Sequence, residues 1–301
     1  MSAVTTRSGD VVPTRRPFSF GRWFRATGWR HLVGAIMVAF SVFPLLFVLS
    51  SSLNPNGTLT SSKTLFSAIG LESYVRILTD PQQPYPAWFA NTLLVSGITA
   101  LLTVFLGALA AYSFSRMRFV GRRTGLITIV IVQMFPQLLA VVAIFLLLNG
   151  ISDIFPAIGL DTQIGLIMVY LGGALGVNTY LMYGFFNTIP ASIDEAAKLD
   201  GAGHARIFFT IILRLVAPIL AVVGLLSFVG TTNEFVIASI VLITPEKQTL
   251  AVGLYQFVSQ EFSSNYSVFA AGAVLAALPV MALFLWLQKY IVGGLTAGSV
   301  K

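Results

Sequence analysis

Side chains able to do acid–base, nucleophilic or metal chemistry are few in this chain and do not gather. His31 and His204 are its only histidines, far apart, and neither belongs to a recognisable triad or HExxH pair. With no cysteine there is no thiolate nucleophile, thiolate metal site or disulfide. No Gly-x-x-x-x-Gly-Lys loop is present to cradle phosphates, so the chain reads as non-enzymatic and any ATP-driven step belongs to another chain. Asp161 and Glu234 stand at the ends of apolar runs, where an interfacial charge is a simpler reading than a proton pathway. What remains is hydrogen-bonding chemistry inside the apolar runs. Gln133, Asn178 and Asn233 are candidates to line a path for a polar solute, with Tyr170 and Tyr180 beside them. Each also has the commoner use of tying helix to helix, worth about 1 kcal/mol in lipid.

One stretch is suited to docking. From Pro190 to Gly203 the chain is polar and charged between two long apolar runs. Its spacing predicts a helix over 192–200. Ser192 and Glu195 fit a capping box, and Asp194 and Glu195 put negative charge in the first turn, where the helix dipole favours it. Ala196, Ala197, Lys198 and Leu199 are good helix formers, and Gly201 after Asp200 supplies a left-handed stop. A capped helix of about two turns suits a partner's cleft; a solvated connector is the alternative.

The elements that must hold this helix follow from composition. The chain is 56% hydrophobic and 10% charged, with a mean hydropathy of +0.86, where soluble domains carry roughly a quarter charged residues. Several runs reach the ~20 residues that cross ~30 Å of hydrocarbon. They are continuous, not alternating, which excludes a β-barrel. The fold class is an all-α polytopic membrane protein with six transmembrane helices expected at 32–53, 89–114, 124–148, 164–186, 208–230 and 268–291. The polar helix falls between the fourth and fifth. Residues 1–31 form a basic segment ahead of a single membrane domain, 32–301. Its first dozen residues are expected to be disordered; Phe20, Trp23 and Phe24, interleaved with arginines, predict a short helix lying on an anionic membrane surface. Residues 54–88 predict an exposed loop with a surface helix near 71–78. Pro136, Pro218 and Pro279 predict kinks.

Six spans place fifteen of the eighteen Lys and Arg residues on one side, leaving Lys63, Arg76 and Lys247 on the other. By the positive-inside rule, both termini and the 190–203 stretch are cytoplasmic. The basic excess is thus topology, not a nucleic-acid patch.

Glu195-Ala196-Ala197, three residues, then Gly201 resemble the EAA loop of the membrane subunits of binding-protein-dependent ABC importers. The match runs on through Ile211 and Leu213 and then departs. The family pattern continues with proline, where this chain has Arg214 and reaches Pro218 four positions on, which puts the bend entering the fifth span in question. Gln248–Leu254 and Gly294–Lys301 are similar to the last external loop and the tail of MalG-like permeases of maltose and maltodextrin importers. The resemblance implies a type I ABC importer permease fold and the permease subunit of an ATP-driven sugar importer in the plasma membrane of a prokaryote. It implies a MalF-like partner permease, a dimer of ATPase subunits carrying ATP and Mg, an extracytoplasmic sugar-binding protein, and no cofactor in this chain. On that resemblance Ser192, Asp194, Glu195, Ala196, Ala197, Asp200 and Gly201 form the ATPase coupling site. Gly294, Leu295, Thr296, Ala297 and Gly298 form a C-terminal ATPase contact, and Thr249, Leu250, Gly253 and Leu254 a binding-protein contact. The substrate stays open between maltodextrin and trehalose, another oligosaccharide or glycerol phosphate. A stand-alone secondary transporter, which needs charged or carbonyl-lined sites at mid-membrane, fits less well.

Overall fold

The computed structural model describes residues 3–5, 11–13, 20–55, 64–261 and 266–297, apart from the side chains of 3–5, 11–13, Arg22, Gln137, Leu138, 258–261 and 292–297. The apolar runs fold as helices: α1 Phe20–Trp23, α2 Trp29–Ser52, α3 Glu72–Thr79, α4 Tyr85–Arg116, α5 Arg122–Gln133, α6 Gln137–Ser152 and α7 Gln163–Phe186. There follow α8 Ala191–Leu199, α9 His204–Arg206, α10 Leu213–Leu215, α11 Ala217–Asn233, α12 Val236–Val241, α13 Leu250–Glu261 and α14 Tyr266–Ala297. Two three-residue strands, Ala3–Thr5 and Val11–Pro13, pair antiparallel within the stretch expected to be disordered, with Val4 opposite Val12. They leave the fold all-α.

The central column is α4, which packs most extensively on α7 and α11. Small residues let it do so. Gly107 lies where a Cβ would meet Met182 of α7 at 3.3 Å, so the two backbones approach closely. Three apolar clusters are stacked along α4. Tyr85 and Trp88 anchor one end with α13 and α14, Val95 the middle with α7 and α12, and Ala108, Ala111 and Tyr112 the other end with α7 and the 189–216 segment.

Four of the described helical stretches are long and apolar enough to cross a membrane: Phe24–Ser52, Tyr85–Arg116, Gln163–Phe186 and Tyr266–Ile291. The expected spans at 124–148 and 208–230 are each broken in two. The first divides at Met134-Phe135-Pro136 into α5 and α6, about 18 and 24 Å long, each short of the ~30 Å hydrocarbon thickness. Pro136 has no N–H to donate and takes an extended conformation, ψ 114°, as the N-cap of α6. The second divides at Val216, where His204–Leu215 and Ala217–Asn233 meet at 78°. Pro218 opens α11, supplying within the next turn the break that Arg214 cannot. Pro279 sits inside α14, which continues through it as one helix. The aromatic segment expected to be a short helix runs as α1 and a π-helical turn, Phe24–Gly28, directly into α2.

Candidate functional site

The polar helix α8 forms as a docking element needs to: short, stopped and backed by packing. Gly201 adopts φ +79°. The Ala202 N–H bonds the Ala197 carbonyl at 2.9 Å and the Gly201 N–H that of Lys198 at 3.0 Å, the pair of a Schellman stop. Its start differs from the expected capping box. Pro190 is the N-cap, Ser192 lies inside the helix, and no side chain caps it. The proline has already fixed the entry two residues earlier, and Asp194 is drawn to a partner elsewhere.

That partner is Arg116 at the end of α4. Its Nε stands 2.9 Å from Asp194 Oδ2, with the two side chains 10% and 6% exposed, and its Nη2 donates to the Ile189 carbonyl at 2.8 Å. The contact lacks hydrogen-bond alignment, and neither Asp194 oxygen accepts a hydrogen bond among the described residues. Attraction between buried charges, not a satisfied network, holds the pair. Beneath it Ala197, Ile189, Ile207 and Phe208 join Met182 and Phe186 in one apolar cluster.

Asp194 and Ala197 therefore face inward and seat the helix. Outward face Ser192, Glu195, Ala196 and Leu199, at i, i+3, i+4 and i+7, with Asp200 and Gly201 exposed beyond them. Leu199 is 90% exposed. Sequence reasoning used Leu199 only as a helix former; its signal was to be the one large apolar residue in the last turn of a polar helix. Arg116 was missed too, since nothing local marks a contact across 78 residues.

A second feature is a cleft of about 1230 Å³ bounded by the α5–α6 break, α6, α7 and α11. Gln133 and Asn178 line it, as do Tyr170, Ser227, Thr231 and Glu234. Asn233 does not: it is exposed and its amide donates to the Val229 carbonyl. Gln133 donates to the Gly173 carbonyl at 2.9 Å and occupies the space a side chain at Gly176 would need. Glu234 is more than a charge at a span end. It accepts from the Tyr170 hydroxyl at 2.6 Å and from the Ile237 and Ala238 N–H groups at 2.9 and 3.0 Å, tying the start of α12 to α7.

At the opposite end of α4 the residues expected to contact a binding protein are packed against the rest of this chain. Thr249 and Leu250 are buried, Leu254 packs in the apolar cluster there, and Gly253 lies where a Cβ would sit 2.2 Å from the Trp88 ring. The Leu250 N–H donates to Thr92 Oγ1 at 2.7 Å, and Trp88 Nε1 to the Pro245 carbonyl at 2.7 Å. The exposed surface here is Ile243, Pro245, Glu246, Lys247 and Tyr255. Asp161 organises it from a left-handed backbone position, φ +58°. Its carboxylate accepts from the Ile243 and Thr244 N–H groups, the Thr244 hydroxyl and Lys247 Nζ, all within 2.9 Å. Partial burial opposes the charged form, but the Lys247, Thr244 and Ile243 hydrogen bonds outweigh it and hold Asp161 at about 2. Of the expected C-terminal contact, Gly294, Leu295, Thr296 and Ala297 continue the α14 backbone, and their side chains and Gly298 lie outside the described residues.

The family described as binding-protein-dependent transport system inner membrane component matches residues 103–296, which hold α7 to α12 entire and the inward anchor Arg116. The chain belongs to this family. Among relatives of this permease, the maltodextrin transport system permease protein MdxG of Bacillus subtilis is 40% identical over 86% of the chain and 91% of its own length. The galactooligosaccharides transport system permease protein GanQ of the same organism is 38% identical over 90% and 94%. The maltose/maltodextrin permease MalG of Escherichia coli K12 is 39% identical over 90% and 94%. The fold matches a crystal structure of a bacterial ABC transporter that imports alginate, with a TM-score of 0.76 at 24% identity over 91% of this chain and 99% of that one. The permease is thus a multi-pass membrane subunit of an ABC importer, not an enzyme, and ATP hydrolysis occurs in separate subunits.

Proposed function

We propose that this permease imports neutral oligosaccharides of the maltodextrin type, pairing with a MalF-like permease above a dimer of ATPase subunits and receiving sugar from an extracytoplasmic binding protein. Both termini and α8 face the cytoplasm. The six-span arrangement is retained, with α5–α6 and α9–α11 each serving as one broken span. The α8 helix is the coupling element, and its outward stripe carries the reading. Ser192, Glu195, Ala196 and Leu199 occupy one face of a helix whose other face is fastened to α4, so Leu199 enters an apolar groove on an ATPase subunit while Glu195 meets cations or N–H donors at its edge. Names of relatives at 38–40% identity support the sugar class. Closing of the ATPase dimer then moves α8, and the bent spans turn that movement into opening of the pathway.

The test is ATPase activity of the complex in lipid, with and without binding protein loaded with maltotriose. Wild type is expected to be stimulated and to take up the sugar. Glu195→Lys and Gly201→Leu are expected to retain ATP hydrolysis and lose uptake by at least about tenfold, the effect of ~1.4 kcal/mol at the docked face. Normal uptake in both variants refutes the docking role.

A further inference from the structure

We propose that this chain itself holds part of the transported solute, and that the cleft beside α7 and α11 is a subsite for a neutral sugar segment. The inference rests on the importer reading above and adds to it a binding site on this subunit. The cleft, about 1230 Å³, exceeds the roughly 300–1,000 Å³ of an ordinary small-molecule site, and it lies against the middle of α7. Its walls are mostly apolar and include the ring of Phe135.

Ser227 in α11 and Glu234, the residue that ends that helix, are seven residues apart and both line the cleft. Ser227 is 8% exposed and its hydroxyl has no hydrogen-bond partner among the described residues. Ser96, Ser113 and Ser152 bond back to the carbonyl four residues earlier, while Ser51 and Ser267 share the unpartnered state of Ser227 without lining the cleft. A buried hydroxyl left unmade costs about 1–3 kcal/mol, and here it opens on a space large enough to receive a partner. Glu234 is held by three hydrogen bonds from Tyr170, Ile237 and Ala238. A carboxylate offers about four lone-pair positions, so one remains for a donor in the cleft. Gln133 is fixed in turn by the Gly173 carbonyl.

The chemistry these groups recognise is that of vicinal hydroxyls: donors for Glu234, a donor or acceptor for Ser227, and a ring face for Phe135. Among the described residues no Lys or Arg lines the cleft. A lone carboxylate without a cation disfavours anions, which sets neutral sugars apart from uronates and glycerol phosphate.

The chain has no cysteine, so Ser227→Cys supplies a single thiol readable by mass spectrometry of this subunit within the assembled complex in lipid. Labelling by methanethiosulfonate ethylammonium is followed with ATP and binding protein, with and without maltotriose, and uptake of radiolabelled maltotriose by wild type is measured in parallel. With sugar near ten times its Kd, labelling is expected to slow about tenfold, and Ser227→Val to raise the KM for uptake about fivefold, the worth of one hydrogen bond. If Ser227→Cys does not assemble, Thr231→Cys on the same wall takes its place. Uptake by wild type with equal labelling in both conditions, or with no labelling in either, overturns the subsite and leaves the importer reading standing. Absence of maltotriose uptake by wild type overturns both.

Discussion

Two ion pairs sit at opposite ends of the bundle and are built on opposite principles. Arg116 and Asp194 are nearly buried, poorly aligned for hydrogen bonding, and surrounded by Tyr112, Ile189, Ala197 and Ile207. Lys247 and Asp161 are half-exposed, yet every feature of the Asp161 carboxylate is used, by two backbone N–H groups, a hydroxyl and the ammonium. The first gains its strength from low dielectric and has no other support if one charge is lost. The second is a hydrogen-bonded clamp in which the salt link is one bond among several. One end of the molecule thus joins α4 to α8 through one buried charge pair set over an apolar cluster, and the other is held by distributed hydrogen bonds that tolerate loss.

The largest effect should come from breaking the buried pair. Arg116→Ala is expected to destabilise the permease by about 3–5 kcal/mol, the cost of stranding a buried charge, read as a lowered thermal midpoint in detergent. A double change of Arg116 and Asp194 to Leu should recover most of it, because a dry apolar pair removes both desolvation penalties. Failure to recover would show that the charges, and not the packing, set the position of α8. At the other end Gly253→Ala forces a methyl into the Trp88 ring, which is fully buried, and should cost about 1–3 kcal/mol, with a shift in tryptophan emission. Smallest should be Lys247→Met, within about 1 kcal/mol as for exposed pairs, since three donors to Asp161 remain. The Asp161 clamp also has a pH signature of known sign. Its carboxyl drops from 3.8 to about 2 on folding, so its stabilisation is complete above pH 4 and is lost as pH falls through 2. Unfolding midpoints at pH 6 and pH 2.5 should differ less in Asp161→Asn than in wild type.

How far the sequence could be read follows from the range of each interaction. The polar helix was legible because its signals are local: Glu195 through Leu199 favour helix, and Gly201 stops it at φ +79°. The apolar runs were legible because lipid demands length and little else. The capping box misled because Pro190 and Ser192 compete for the same helix entry, and only the pull of Arg116 on Asp194 shows which wins. Thr249, Leu250 and Gly253 are assigned to an external loop by resemblance alone, and no local signal shows that the glycine is small to admit Trp88, 165 positions away. Glu234 was read as an interfacial charge for a similar reason. Its three donors come from a helix start and a tyrosine that no spacing rule connects to it.

The 78° break at Val216 has a consequence in simple lever arithmetic. On one side of it, Ile207, Phe208 and Ile212 share an apolar cluster with Ala197, and with Val223 of α11 on the far side, so α8 and the bent span are packed together. On the other, α11 is 17 residues, an arm of about 25 Å. Turning that arm by about 5° about the break carries its far end through about 2 Å. Glu234 sits at that far end, bonded to Tyr170 at 2.6 Å, a contact that no longer exists once it has stretched by that amount. A rotation of a few degrees is therefore enough to let go of the wall of the cleft.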